Sequence, residues 1–167
     1  MPISPSGPSA PLVVPSVPDE IKVPGDATLI QRTNARGVQI YTCVPKPAAP
    51  GQFEWALKAP EASLTDDAGK VLGKHYAGPT WESTDGSKVV GAMKAKVDSP
   101  SPTAIPWLLI EAQSNAGEGA FSRIAFVQRV NTEGGKAPAQ GCDKAHEKSE
   151  ARVDYTATYY FYARSKP

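Results

Sequence analysis

The densest set of chemically capable side chains in this sequence lies between His75 and Asp85. His75-Tyr76-Ala77-Gly78-Pro79-Thr80-Trp81-Glu82, followed by Asp85, holds an imidazole, a phenol, an indole and two carboxylates. Gly78-Pro79 signals a turn, and a turn there folds its flanks into a hairpin across which His75 and Glu82 can meet. A histidine and a carboxylate in contact can do general acid–base work or contribute metal ligands. Packing explains the same residues more simply, because a histidine at a strand end beside a tryptophan is an ordinary hydrogen-bonded part of a core. His75, Glu82 and Asp85 are therefore catalytic candidates of second rank. Trp81, beside the turn and between two polar residues, is with Tyr76 the better candidate for a ligand-binding surface.

The remaining chemical motifs are weaker. His146 stands among Asp143, Glu147 and Glu150, a spacing that on a helix is more often a solvated face than a metal site. No metal ligand set and no cofactor is expected. Gly117-Glu118-Gly119-Ala120-Phe121-Ser122 lacks the third glycine of a dinucleotide fingerprint and is followed by alternating residues, so a glycine-rich hairpin connection is expected there. No nucleophile elbow, HExxH motif or P-loop occurs. A Ser87, His75, Asp85 trio can be written down, as in any β domain. Trp107 sits in the apolar run Ile105-Pro106-Trp107-Leu108-Leu109-Ile110 and is expected in the core. Cys43 and Cys142, the two cysteines, have no zinc spacing, and their separation alone leaves a disulfide and two buried thiols both open.

The elements that must position these residues read as strands. Gly and Pro recur about every ten residues, and the segments between them alternate with period two. Strands are expected near Thr28–Arg32, Val38–Val44, Phe53–Lys58, Val71–Tyr76, Lys88–Val97, Trp107–Gln113, Phe121–Val130 and Val153–Ala163. The fold class is all-β, an antiparallel sandwich or flattened barrel of about eight strands. In Lys88–Val97, Val89, Met93, Ala95 and Val97 are assigned to the buried face. In the last strand Tyr155, Tyr159 and Phe161 oppose Tyr160 and Tyr162, so both of its faces should be covered. Gln140–Ala151 is either a short helix or a loop.

The 18 Lys plus Arg against 17 Asp plus Glu give no field that steers toward nucleic acid. No run is long enough to span a membrane as a helix. Residues 1–24 are expected to be a Pro-rich linker ordered only in part, with residues 25–167 a single β domain. Met1 runs straight into this Pro/Ser/Ala tract, the look of a mature chain whose signal peptide has been removed. Oligomeric state is not legible.

Gly37-Val38-Gln39-Ile40-Tyr41-Thr42-Cys43, the His75 to Glu82 stretch with Asp85-Gly86-Ser87, Ile105-Pro106-Trp107-Leu108-Leu109, and Gln128-Arg129-Val130-Asn131-Thr132-Glu133-Gly134-Gly135 through Ala137-Pro138 to Cys142 together resemble the domain of unknown function 3455 family. The resemblance spans about Val14 to Tyr162 and implies export from the cell, with no activity to carry over. With export, a Cys43–Cys142 disulfide is the expected pairing, and the location is secreted, periplasmic or at the cell surface. Function is then expected to be a binding or surface module for a small molecule or carbohydrate. The alternatives are a hydrolase or metal-assisted enzyme using His75 and Glu82, and a structural envelope or stress protein.

Overall fold

The computed structural model describes residues 12–164. Eight strands follow one another: β1 (Ala27–Pro45), β2 (Phe53–Thr65), β3 (Val71–Tyr76), β4 (Thr80–Ser83), β5 (Lys88–Val97), β6 (Trp107–Ala116), β7 (Ile124–Gly134) and β8 (Glu150–Arg164). Each pairs antiparallel with the next, and β8 returns to β1 to close a barrel. The all-β class, the count of eight and the barrel alternative agree with the sequence.

Three details differ from what the alternation implied. The two strands expected at Thr28–Arg32 and Val38–Val44 are one 19-residue strand, β1. It bends at a bulge between Leu29 and Gln31 in its ladder with β8, and at another between Ile40 and Tyr41 in its ladder with β2. A four-residue strand, β4, was not expected. Met93 is exposed rather than buried: it shares the inward side with its partner Ile110 but lies beyond the end of β4, and the bulge at Met93/Ala95 then reverses the alternation, so that Ala95 and Val97 pack on the outer side while Val89 faces the barrel interior. Gln140–Ala151 is a loop with one 3-10 turn, Lys144–His146, which runs into the start of β8.

Inward-facing side chains fill the barrel with a core that includes Leu64, Trp81, Val89, Ile110, Phe121, Val127, Tyr155, Tyr159 and Phe161. A second apolar layer lies on the outside, where Leu109, Phe126, Val130, Tyr160 and Tyr162 pack with Ile21, and Val17 and Val23 lean against it. Residues 17–23 thus cross the outer wall as a strap. Gln128 pins it by donating from Nε2 to the Ile21 carbonyl at 2.8 Å while accepting from the Tyr162 hydroxyl at 2.6 Å. This explains the two aromatic faces of β8: Tyr159 and Phe161 point into the barrel, and Tyr160 and Tyr162 point under the strap.

Cys43, in β1, and Cys142, in the β7–β8 connection, form a disulfide over a sequence separation of 99. Backbone hydrogen bonds from Cys43 to Ser149 and from Lys148 to Cys43 hold the same connection against β1.

The wall is not of even height. β3 and β4 are six and four residues long, between a β2 of 13 and a β5 of 10. β3 pairs only with Ala62–Thr65 of β2, and β4 only with Lys88–Val90 of β5. Residues 53–60 and 92–97 therefore flank a notch at the end of the barrel where the β3–β4 turn lies.

Candidate functional site

Register decides where the His75–Asp85 residues go. His75 of β3 pairs with Trp81 of β4, Lys74 with Glu82, and Tyr76 with Thr80. Successive strand residues face opposite sides, so His75 and Trp81 point into the barrel while Tyr76 and Glu82 point out. The turn does not bring His75 and Glu82 together: they are one residue out of register and on opposite faces of the sheet.

Inside, the imidazole of His75 stacks on the Trp81 indole at 4.5 Å with planes 15° apart, and Tyr159 meets the indole edge-on at 5.6 Å. The turn is tied by the Thr80 hydroxyl donating to the Ala77 carbonyl at 2.8 Å. Gly91, beside the indole, makes room for Ile110, since a Cβ there would stand 2.4 Å from Ile110 Cγ2. Trp81, expected on a ligand surface, is only 1% exposed. His75 Nδ1 lies 2.9 Å from the Thr80 carbonyl, which can only accept, so the neutral ring carries its proton on Nδ1. Burial pushes the pKa of His75 down to about 3, with the Thr80 bond opposing and the Arg129 charge reinforcing. The ring is neutral at physiological pH.

Outside, the Tyr76 hydroxyl donates to Glu82 Oε1 at 2.6 Å. That bond, with the Lys74 and Lys88 charges, keeps Glu82 below the usual carboxylate range. A broad, open depression of about 630 Å³ passes Glu61, Lys74 and Glu82, but it is shallow outer surface. Asp85 is a loop anchor: Oδ1 accepts from Ser87 N and Oγ at 2.9 and 2.6 Å, and Oδ2 accepts from Ala120 N at 2.8 Å. Ser87 is buried, and its Oγ in turn accepts from Phe121 N. These bonds hold Asp85 at about 2, with the Ser87 hydroxyl the largest contributor. Ser87, His75 and Asp85 therefore form no triad, because His75 is bonded to Thr80 and not to Ser87. Asp143 caps the Lys144–His146 turn, its Oδ1 accepting from His146 N at 3.1 Å and lying 2.6 Å from His146 Nδ1, and no cluster of three potential metal ligands occurs among the described residues.

The notch leads into a cavity of about 440 Å³, within the range of roughly 300–1,000 Å³ typical of small-molecule sites. Its apolar lining includes Leu57, Pro79, Met93, Leu108 and Ile110. Its polar groups are Gln39, His75, Arg129 and Tyr159, with Lys58 and Lys96 also contributing. Tyr76 does not line it. Four buried side-chain polar atoms among the described residues lack a partner, and two of them belong to this cavity: Gln39 Oε1 and Trp81 Nε1.

Sequence reasoning missed Gln39, Arg129 and Tyr159 as members of one site, since they come from β1, β7 and β8. The available signal was parity. Arg129 shares the inward face of β7 with Val127, where an arginine is out of place unless something there uses it.

No curated protein and no solved structure matches the chain. The model of a family described as protein of unknown function (DUF3455) matches residues 24–163, which contain all eight strands but the last residue of β8, the disulfide and every residue lining the cavity; the chain belongs to that family.

Proposed function

We propose that this domain is an exported binding module that holds one small molecule in the notched end of its barrel. The observation that supports it is the pair of unpartnered polar atoms, Gln39 Oε1 and Trp81 Nε1, in a cavity of about 440 Å³ that apolar side chains line together with a few polar groups. A buried polar group without a partner costs about 1–3 kcal/mol, and a ligand that supplies the missing partners removes that cost. His75 is neutral and committed to a carbonyl, and Glu82 lies across the sheet, so catalysis by this pair has no geometric support. Trp81 offers no open face, which favours an enclosed small molecule over a sugar stacked on a surface indole. The Cys43–Cys142 bond supports an oxidising compartment.

Titration with naphthalene-2-carboxylate and with naphthalene-2-carboxamide, followed by indole fluorescence and amide chemical shifts, tests the reading. Saturable one-to-one binding of at least one probe is expected, with shifts concentrated on the Trp81 indole N–H, Gln39 and His75. Failure of both probes to bind, or shifts scattered over the outer wall, counts against it.

A further inference from the structure

Arg129 is 8% exposed and lines the cavity. Its Nε and Nη2 both donate to one neutral acceptor, the Pro106 carbonyl, at 3.0 and 2.8 Å. Among the described residues no carboxylate forms an ion pair with it, although seven other ion pairs are made. A buried guanidinium is ordinarily paired with an anion, because desolvating a lone charge is expensive. A carbonyl fills part of the donor fork but leaves the charge uncompensated.

The rest of the lining has the same sign. Lys58 and Lys96 line the cavity with Arg129, and no acidic residue does. Lys58 is shared with Glu150 at 2.5 Å, on the exposed side. Two further groups suit an anion: Trp81 Nε1, a donor without a partner, and the Gln39 amide, which presents N–H in place of oxygen when turned over. The walls are apolar, and Leu57 and Met93 remain 56% and 57% exposed where the notch opens.

We propose that the cavity takes a small organic anion, a carboxylate or a group of like charge and shape on an apolar body, with Arg129 as the residue that receives the charged end. This rests on the binding reading above and names the chemistry of its ligand. The guanidinium fork matches the two oxygens of a carboxylate, and the low-dielectric surroundings strengthen the contact.

The two naphthalene probes differ only in charge and hydrogen bonding at one end, so their affinities for the intact protein at fixed ionic strength read the proposal directly. The carboxylate is expected to bind at least about tenfold more tightly than the carboxamide, the worth of one charge-assisted hydrogen bond. Arg129→Met should remove that preference, read as the ratio of the two affinities, and Arg129→Lys should retain part of it. Equal affinities for the two probes overturn the anion proposal and leave the binding module standing. Binding of neither overturns both. A preference that survives in folded Arg129→Met but disappears in Lys96→Ala assigns the charge to the rim and overturns the role given to Arg129. If Arg129→Met does not fold, the comparison of probes on the unaltered protein and on Arg129→Lys decides: a preference kept in part by lysine supports the proposal, and a preference unchanged by it counts against.

Discussion

His75 titrates differently in the folded and unfolded chain, and stability must follow. Burial lowers its pKa to about 3 in the folded protein, whereas the free side chain protonates near 6.5. Between these values the unfolded state binds the additional proton, so stability rises with pH and is lost on acidification, by about 1.4 kcal/mol per pH unit below 6.5. The melting temperature is expected to fall steadily from pH 6.5 to 4.5, and His75→Gln should flatten that slope. A wild-type curve already flat over this range would mean that the imidazole takes up its proton in place. The sequence marked the stretch that holds this residue but treated His75, Tyr76, Trp81 and Glu82 as one patch. Whether neighbours share a face depends on the register across Gly78-Pro79, and residue types do not carry that. Arg129 was less legible still, a single cation in an apolar strand whose partners come from strands far away in the chain.

Elements show the same division between what local pattern reveals and what tertiary contact decides. Alternation located β5 and β8 closely, whereas β4 is too short to display a period. Thr33-Asn34-Ala35-Arg36-Gly37 reads as a break between two strands because it is polar and ends in glycine. In the barrel it is continuous β1, and Gly37 is there for proximity: a Cβ would stand 2.0 Å from the Glu61 carbonyl oxygen and 2.5 Å from Ala62 Cα. Those are backbone atoms that cannot swing aside. Gly37→Ala is expected to force β1 from β2 and cost about 1–3 kcal/mol or more, read as a lower denaturation midpoint at unchanged denaturant dependence. A wild-type midpoint in that variant would show that the two strands are not in this contact. The strap is the counterpart: its prolines marked a linker ordered only in part, and Ile21 within it is fully buried on the outer layer. Composition does not reveal an apolar outer wall waiting for a cover.

At the scale of the whole molecule, closure of β8 on β1 and the Cys43–Cys142 bond both tie distant parts of the chain together. A cross-link closing about 100 residues stabilises a fold by about 4–5 kcal/mol in the chain-entropy model. Replacing both cysteines with serine is expected to lower the melting temperature markedly while the far-ultraviolet circular dichroism stays that of a β protein. An unchanged melting temperature would locate the tie in the Cys43 and Ser149 backbone bonds instead. The notch has a consequence of its own. Residues 53–60 and 92–97 carry backbone amides and carbonyls that no neighbouring strand uses on that side, and such stretches are templates on which a second molecule can add a strand and begin a fibre. Lys58, Pro60, Lys94 and Lys96 lie along them, and charge and proline are the usual guards of a bare edge. Lys58 and Lys96, which the anion proposal places at the mouth, thus also guard against two copies of this protein zipping together there, and neutralising them is expected to lower colloidal stability together with affinity for the proposed ligand.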